Sequence, residues 1–277
     1  MASFQNDQAA GLRRIMAAPK PRVVSILSAS TALHDQPRLM TNLAASICCN
    51  GSDVLIMHAS PSSRESSYEI DKLPTLLDVA TDKHSLMHAI KSSSQGFSVA
   101  KLMQKSQFNT SLNSFASERL EQIFNELTSQ YEIILVDAAL NKNHLLPLNA
   151  LNENEILIQL TRNPESIKNA YSLIKQICSQ LGRRSFGIIV DDATEAQAKT
   201  VFRNISQVAK DFMQIELEFF GAIPSDDHLN RAAKLGRSVT DAFPLAAAST
   251  AFKQIAKRLD YKQDYTANIK QATLHLA

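Results

Sequence analysis

The sequence predicts a doubly wound α/β fold, a mostly parallel sheet with helices on both faces. Three observations predict it. Short apolar runs ("VVSIL", "VLIM", "IILV", "ILIQL", "GIIV") recur along the chain. Amphipathic helical patterns separate most of them, and buried parallel strands need such crossovers. The chain has 277 residues, enough for one large α/β domain or two small ones, with the 44% hydrophobic and 20% charged residues of an ordinary globule.

The elements follow in order. Residues 1–21 form a polar, Ala-rich arm ending in "PKP", a hinge after a short helix. "VVSIL" is a buried strand, and Pro37 to Cys49 a helix with Leu39, Leu43 and Ile47 on one face. "DVLIMHA" is the second strand, before a Ser-rich loop, "SPSSRESS". Helical pattern covers Leu73 to Ile90, a short strand lies around "FSVAKLM", and a helix capped by Ser117 runs to Gln130. "YEIILVDAA", "EILIQLT" and "FGIIVDD" are strands; the helix between the last two has Pro164 near its start and Gly182 after its end. Glu195 to Asp211 is a long helix, "LEFFGAIP" the final strand, and Asp227 to Leu235 and Ala247 to Leu259 closing helices. The main domain is thus residues 22–260, with a tail at 261–277.

Composition excludes several classes. Net charge is +2 without a long basic run, so electrostatics do not call for nucleic acid. No signal-peptide core or membrane-spanning apolar stretch is present in the sequence, and Cys48, Cys49 and Cys178 cannot make a disulfide framework. Reduced structural thiols in a cytoplasmic protein are the expectation.

Ligands of a doubly wound sheet bind at the carboxyl ends of its strands. The first such end is "RVVSILSASTALHDQPRLMTNLAASI", which has the layout of a phosphate-binding strand, loop and helix. The chain has only seven glycines, against about 19 at average usage, and none lies between Gly11 and Gly51. A phosphate loop needs glycines to turn N–H groups inward, a lysine, and a hydroxyl for Mg²⁺. Ala32, Leu33 and Asp35 carry side chains instead, Gln36 is uncharged, and Pro37 has neither hydroxyl nor N–H. Asp35 would also repel a polyphosphate. "HDQPRLM" then reads as a helix start, with Asp35 as N-cap and Pro37 in the first turn.

Aligned on "NLA" (Asn42 to Ala44), the chain resembles the MinD/ParA-type deviant phosphate-loop ATPases, and within them the FlhG/FleN regulators of flagellar number and placement. "YEIILVDAA" resembles the Asp-bearing switch II strand, "EILIQLTRNPESIKNAYSLIKQI" a central segment, and "FFGAIPSDDHLNRAAKLGRSVTDAFPLAAASTAFKQIAKRL" the C-terminal third. By this resemblance the signature lysine falls on Thr31, the phosphate-loop lysine on Gln36 and the Mg²⁺ hydroxyl on Pro37. The aspartates after the second strand fall on His58 and Ser60, and the base-contacting asparagine on Asp191. Asp137 alone is kept. One carboxylate cannot supply the several positioned charges of phosphoryl transfer. The resemblance therefore implies a pseudo-ATPase that does not bind ATP or Mg²⁺ and whose dimerisation, if any, is independent of nucleotide.

The arm keeps what the loop loses. "NDQAAGLRRIM" matches the activator segment of the FlhG/FleN family at Asp7, Gln8, Ala9, Gly11, Leu12 and Arg13. In that family it stimulates an FlhF-like GTPase of the signal-recognition type. Physically it is a short helix with Leu12, Ile15 and Met16 as a stripe beside Arg13 and Arg14, too short to be stable alone. Gln8 is suited to positioning a catalytic water.

His84 and His88 lie four apart on the predicted helix, a metal-compatible spacing without a third ligand, so no metal site is expected. In "SDDH", Asp226 or Asp227 caps the following helix. The tail "YTANIKQATLHLA" has too few apolar residues and too little positive charge to argue for membrane anchoring, although the resemblance implies polar or membrane-peripheral placement. The expected function is that of a catalytically inactive regulator of flagellar number or placement, partnered by an FlhF-like GTPase or a flagellar transcriptional regulator. Its rivals are an active ATPase with an aberrant loop and a non-flagellar adaptor.

Overall fold

The computed structural model describes residues 21–30, 32, 35–61, 70–110 and 112–260. Eight strands form one sheet: β1 (Arg22–Ser28), β2 (Val54–Ala59), β3 (Ile90–Ser92), β4 (Ser98–Lys101), β5 (Ile133–Ala138), β6 (Glu155–Thr161), β7 (Phe186–Asp191) and β8 (Leu217–Ala222). Their spatial order is β3-β4-β2-β5-β1-β6-β7-β8. All pairs are parallel except β3 with β4. The helices are α1 (Asp35–Cys48), α2 (Leu76–Ala80), α3 (Ser114–Gln130), α4 (Pro164–Leu181), α5 (Glu195–Met213), α6 (Asp227–Lys234), α7 (Val239–Ala242) and α8 (Ala247–Leu259).

The central strands β1, β5 and β7 are buried over almost their whole length, which explains their continuous apolar runs. Two cores result. Leu27, Val136 and Ile188 join Leu120, Ile174 and Ile205 of α3, α4 and α5 on one face. Ile26, Leu135 and Ile189 join Leu43 of α1 and Phe252 of α8 on the other. Gly187 is fixed by packing: a Cβ there would come within 2.6 Å of the Phe220 ring and closer still to Leu157.

Local chemistry sets the ends of the helices. Asn163 caps α4 by accepting from the Glu165 N–H with Pro164 at the start, and Gly182 leaves the helix at φ 77°. Asp226 caps α6, accepting from the His228 N–H at 3.0 Å, and also accepts from the Ala248 N–H at the start of α8.

Several boundaries differ from expectation. α1 begins at Asp35, so Asp35 is its first residue and not its cap; Pro37, needing no N–H partner in a first turn, does not delay the start. α3 begins at Ser114, because Asn113 and not Ser117 accepts from the Ala116 N–H. The helix expected over Leu73 to Ile90 stops after Ala80. Thr75 and Asp78 form a capping box at its start, and Asp82 turns the chain away at φ 56°. The apolar residues beyond it serve a short 3₁₀ turn, Leu86–His88, and the antiparallel edge strand β3. His84 and His88 therefore do not share a helix, and no cluster of three metal-ligating side chains occurs among the described residues.

The cysteines are free. Burial pushes the Cys48 thiol up to about 11 and raises that of Cys178, which fits inert structural thiols at these two, whereas Cys49 is exposed. No helix among the described residues is long and apolar enough to cross a membrane. The arm residues Asp7, Gln8, Ala9, Gly11, Leu12 and Arg13, the tail and Thr31 lie outside the described residues, as does most of the Ser-rich loop.

Candidate functional site

The carboxyl ends of β1, β2 and β5 meet where a doubly wound sheet places its ligand. The sheet register puts Ile26, Asp137, His58 and Lys101 side by side on β1, β5, β2 and β4. Neighbours in one row share a face, here that of α1. His58 and Asp137 are 1% and 2% exposed, and His58 Nδ1 lies 2.9 Å from Asp137 Oδ2. The other carboxylate oxygen of Asp137 is buried without a hydrogen-bond partner among the described residues. Lys101, also buried, donates to the Gln104 side chain at 3.1 Å.

Gln36 reaches back to β1. Its Nε2 donates to the Ile26 carbonyl at 2.8 Å, tying the first turn of α1 to the backbone of β1. Pro37 is buried, and its carbonyl accepts from the Thr41 hydroxyl. Above these residues lies a cleft of about 400 Å³. Ser28, Ser30, Gln36, Ser60 and Asp137 contribute its polar wall with Asn141, His144 and Gln176, and no Lys or Arg side chain lines it among the described residues.

Asp191 stands across β1 and β6 from this cleft, at the end of β7. Its Oδ2 accepts from Gln159 Nε2 at 2.9 Å and faces the Arg38 guanidinium at 3.4 Å, while Oδ1 accepts from the Asp192 N–H. It lines a second cleft, of about 690 Å³, together with Arg38, Arg162, Asp192 and Asp226. Arg162 donates to the Asp192 carbonyl at 2.7 Å across its floor.

The structure thus brings Gln36, Pro37, Ser60 and Asp137 to one cleft, with His58 behind them, and sets Asp191 apart in another. Asp35 opens α1 beside the first. Sequence reasoning missed Lys101, Gln159 and Arg38. The signal was available for Lys101, a cation closing a buried strand at its carboxyl end, and for Gln159, a lone amide inside "ILIQL". Asn42, part of the aligned "NLA", accepts from the Val239 N–H at 2.7 Å and so holds α7 against α1.

No protein-family profile matches the chain. It is 25% identical over 222 residues, 79% of this chain and 79% of the relative, to the antiactivator FleN of Pseudomonas aeruginosa. Its fold superposes on a chain of the MinC:MinD cell division protein complex of Aquifex aeolicus with TM-score 0.64, covering 86% of this chain and 95% of that one at 21% identity. The chain has the fold of the MinD/ParA-type ATPases, and FleN is among its relatives in sequence. A ParA-family ATPase of Chlorobium tepidum superposes on this chain at TM-score 0.62 and 18% identity, over 88% of this chain and 100% of the other. An uncharacterized ATP-binding protein of Methanocaldococcus jannaschii is 25% identical to it over 243 residues, 84% and 85% of the two lengths. The solved structures establish the fold; the expectation of a doubly wound, MinD-like sheet holds.

Proposed function

We propose that this MinD/ParA-type protein is a catalytically inactive regulator that acts through protein contacts, without binding or hydrolysing ATP. The observation that carries the reading is the donor set of the first cleft. Asp137, the one carboxylate kept from the catalytic set, is engaged by His58, and Gln36 is engaged by the β1 backbone. Mg²⁺ and a polyphosphate are poorly served there. The metal needs hard oxygen ligands in near-octahedral array, and Pro37 offers no hydroxyl. The phosphates need several positioned cations, and the described lining holds no Lys or Arg, offering only His144 and the neutral amides of Gln36, Asn141 and Gln176. The rival of an active ATPase draws on the name of the archaeal relative and on the ATPases that share the fold, but it leaves both engagements unexplained.

FleN is named an antiactivator. By analogy the partner is a transcriptional activator or, through residues 1–21, an FlhF-like GTPase, and the role is control of flagellar number or placement in the cytoplasm. The "DQAAGLR" segment supports the second partner. A peptide of residues 1–21 should raise GTP hydrolysis by such a GTPase. Gln8→Ala should remove most of that stimulation while binding stays nearly intact. A peptide that binds without changing turnover would leave a docking role only, and one that does not bind would remove the GTPase from the account.

A further inference from the structure

The long helix α5 and the edge strand β8 enclose a groove of about 520 Å³ on the side of the sheet away from α8. Its floor is aromatic: Phe202 and Phe219 are half-buried, with ring centroids 5.3 Å apart. Its α5 wall is basic, with Lys199, Arg203 and Lys210 all exposed along it. Each acid of α5 and β8 has a partner, two of them on the groove wall itself. Glu195 pairs with Lys199 at 3.1 Å, Asp211 accepts from Gln207 at 2.9 Å, and Glu218 faces the opposite side to pair with Arg258 at 2.7 Å. Among the described residues, no ion pair involves Arg203 or Lys210.

We propose that this groove docks an acidic amphipathic helix of a partner protein, its apolar face on Phe202 and Phe219 and its carboxylates on Arg203 and Lys210. Charge complementarity selects an acidic occupant. The state of the sheet edge selects a helix. Arg258 donates to the carbonyls of Phe219 and Phe220, so the middle of β8 is closed to an added strand. An occupant must therefore satisfy its own backbone, as a helix in a groove does. The wall from Lys199 to Lys210 is about 16 Å long at 1.5 Å per residue, or three turns of a partner helix. The groove lies at the β8 edge, separated from β5 and its cleft by β1, β6 and β7, so the proposal is independent of what that cleft binds.

The test is fluorescence anisotropy with a labelled 15-residue Ala-based helix carrying Phe and Leu at i, i+4 and i+7 and Glu on both flanks. Two controls are the same peptide with Lys for Glu and a single-stranded oligonucleotide. The acidic peptide should bind the full chain saturably and the Lys peptide should not. The double variant Arg203→Glu/Lys210→Glu, whose side chains are exposed and leave folding intact, should weaken binding about tenfold or more. Added salt should weaken it as well. Absence of saturation, an affinity unchanged by the double variant, or displacement of the peptide by the oligonucleotide would each overturn the proposal.

Discussion

His58 Nδ1 sits 2.9 Å from Asp137 Oδ2 on adjacent parallel strands, and both side chains are almost wholly buried. A buried carboxylate is tolerated when it is paired, and truncating the partner leaves it desolvated and uncompensated. His58→Ala should therefore destabilise the fold by about 2–4 kcal/mol. The double variant His58→Ala/Asp137→Ala should cost less than the sum of the two single changes. Urea denaturation of the four proteins measures the coupling. Simple additivity would show that the contact contributes nothing.

Gln36→Lys places one cation where the resemblance puts the phosphate-loop lysine. It should not confer ATP hydrolysis, because Pro37 still lacks the hydroxyl and no glycine is regained. It should also lose the bond to the Ile26 carbonyl, lowering stability by about 1 kcal/mol. A phosphate-release assay and a thermal melt on the same sample check both expectations.

Asp226 links two helices, accepting from N–H groups at the starts of α6 and α8. Burial alone would raise its carboxyl, but the bonds from Ala248 and His228 outweigh burial and hold it below its ordinary value of 3.8. A carboxylate depressed in the folded state stabilises above the unfolded value, and the contribution fades as pH falls through the folded one. Asp226→Ala should thus cost about 1–2 kcal/mol at neutral pH. The gap from wild type should narrow below pH 3.8, as read from melting curves across pH.

Gly187→Ala should destabilise by roughly 1–3 kcal/mol through overpacking of Leu157 and Phe220. Gly51→Ala, in open space at φ 88°, should act only through backbone strain, so its cost should not fall when Phe220 is trimmed. The cost of Gly187→Ala should shrink in a Phe220→Leu background.

Much of this fold was legible in the sequence where local signals agreed. β6, α4 and α8 run over the residues expected of them, because continuous apolar runs, Pro164 and Gly182 all point the same way. The segment from Leu73 to Ile90 misled because Leu76, Leu77, Leu86 and Ile90 fit a helical period that Asp82 interrupts with a left-handed turn. The departures of Gln36, Pro37, His58 and Ser60 from the pattern that the resemblance implies were legible, but not the contacts that these residues make. The His58–Asp137 contact joins residues 79 apart, and the Asn42–Val239 bond residues 197 apart. Each depends on sheet register or helix packing, which no local pattern encodes.

If the chain dimerises, the proposed loss of nucleotide makes the association indifferent to ATP. Light scattering should give the same mass with and without Mg-ATP, and a nucleotide-dependent mass would contradict the reading of Thr31 and Gln36 as lost phosphate contacts.

Calorimetric titration of the full chain with Mg-ATP tests the central claim most directly. The account predicts no heat beyond dilution and no rise in melting temperature, since only a ligand of the folded state stabilises it by mass action. Saturable binding in the micromolar range would contradict it and restore the working-ATPase reading.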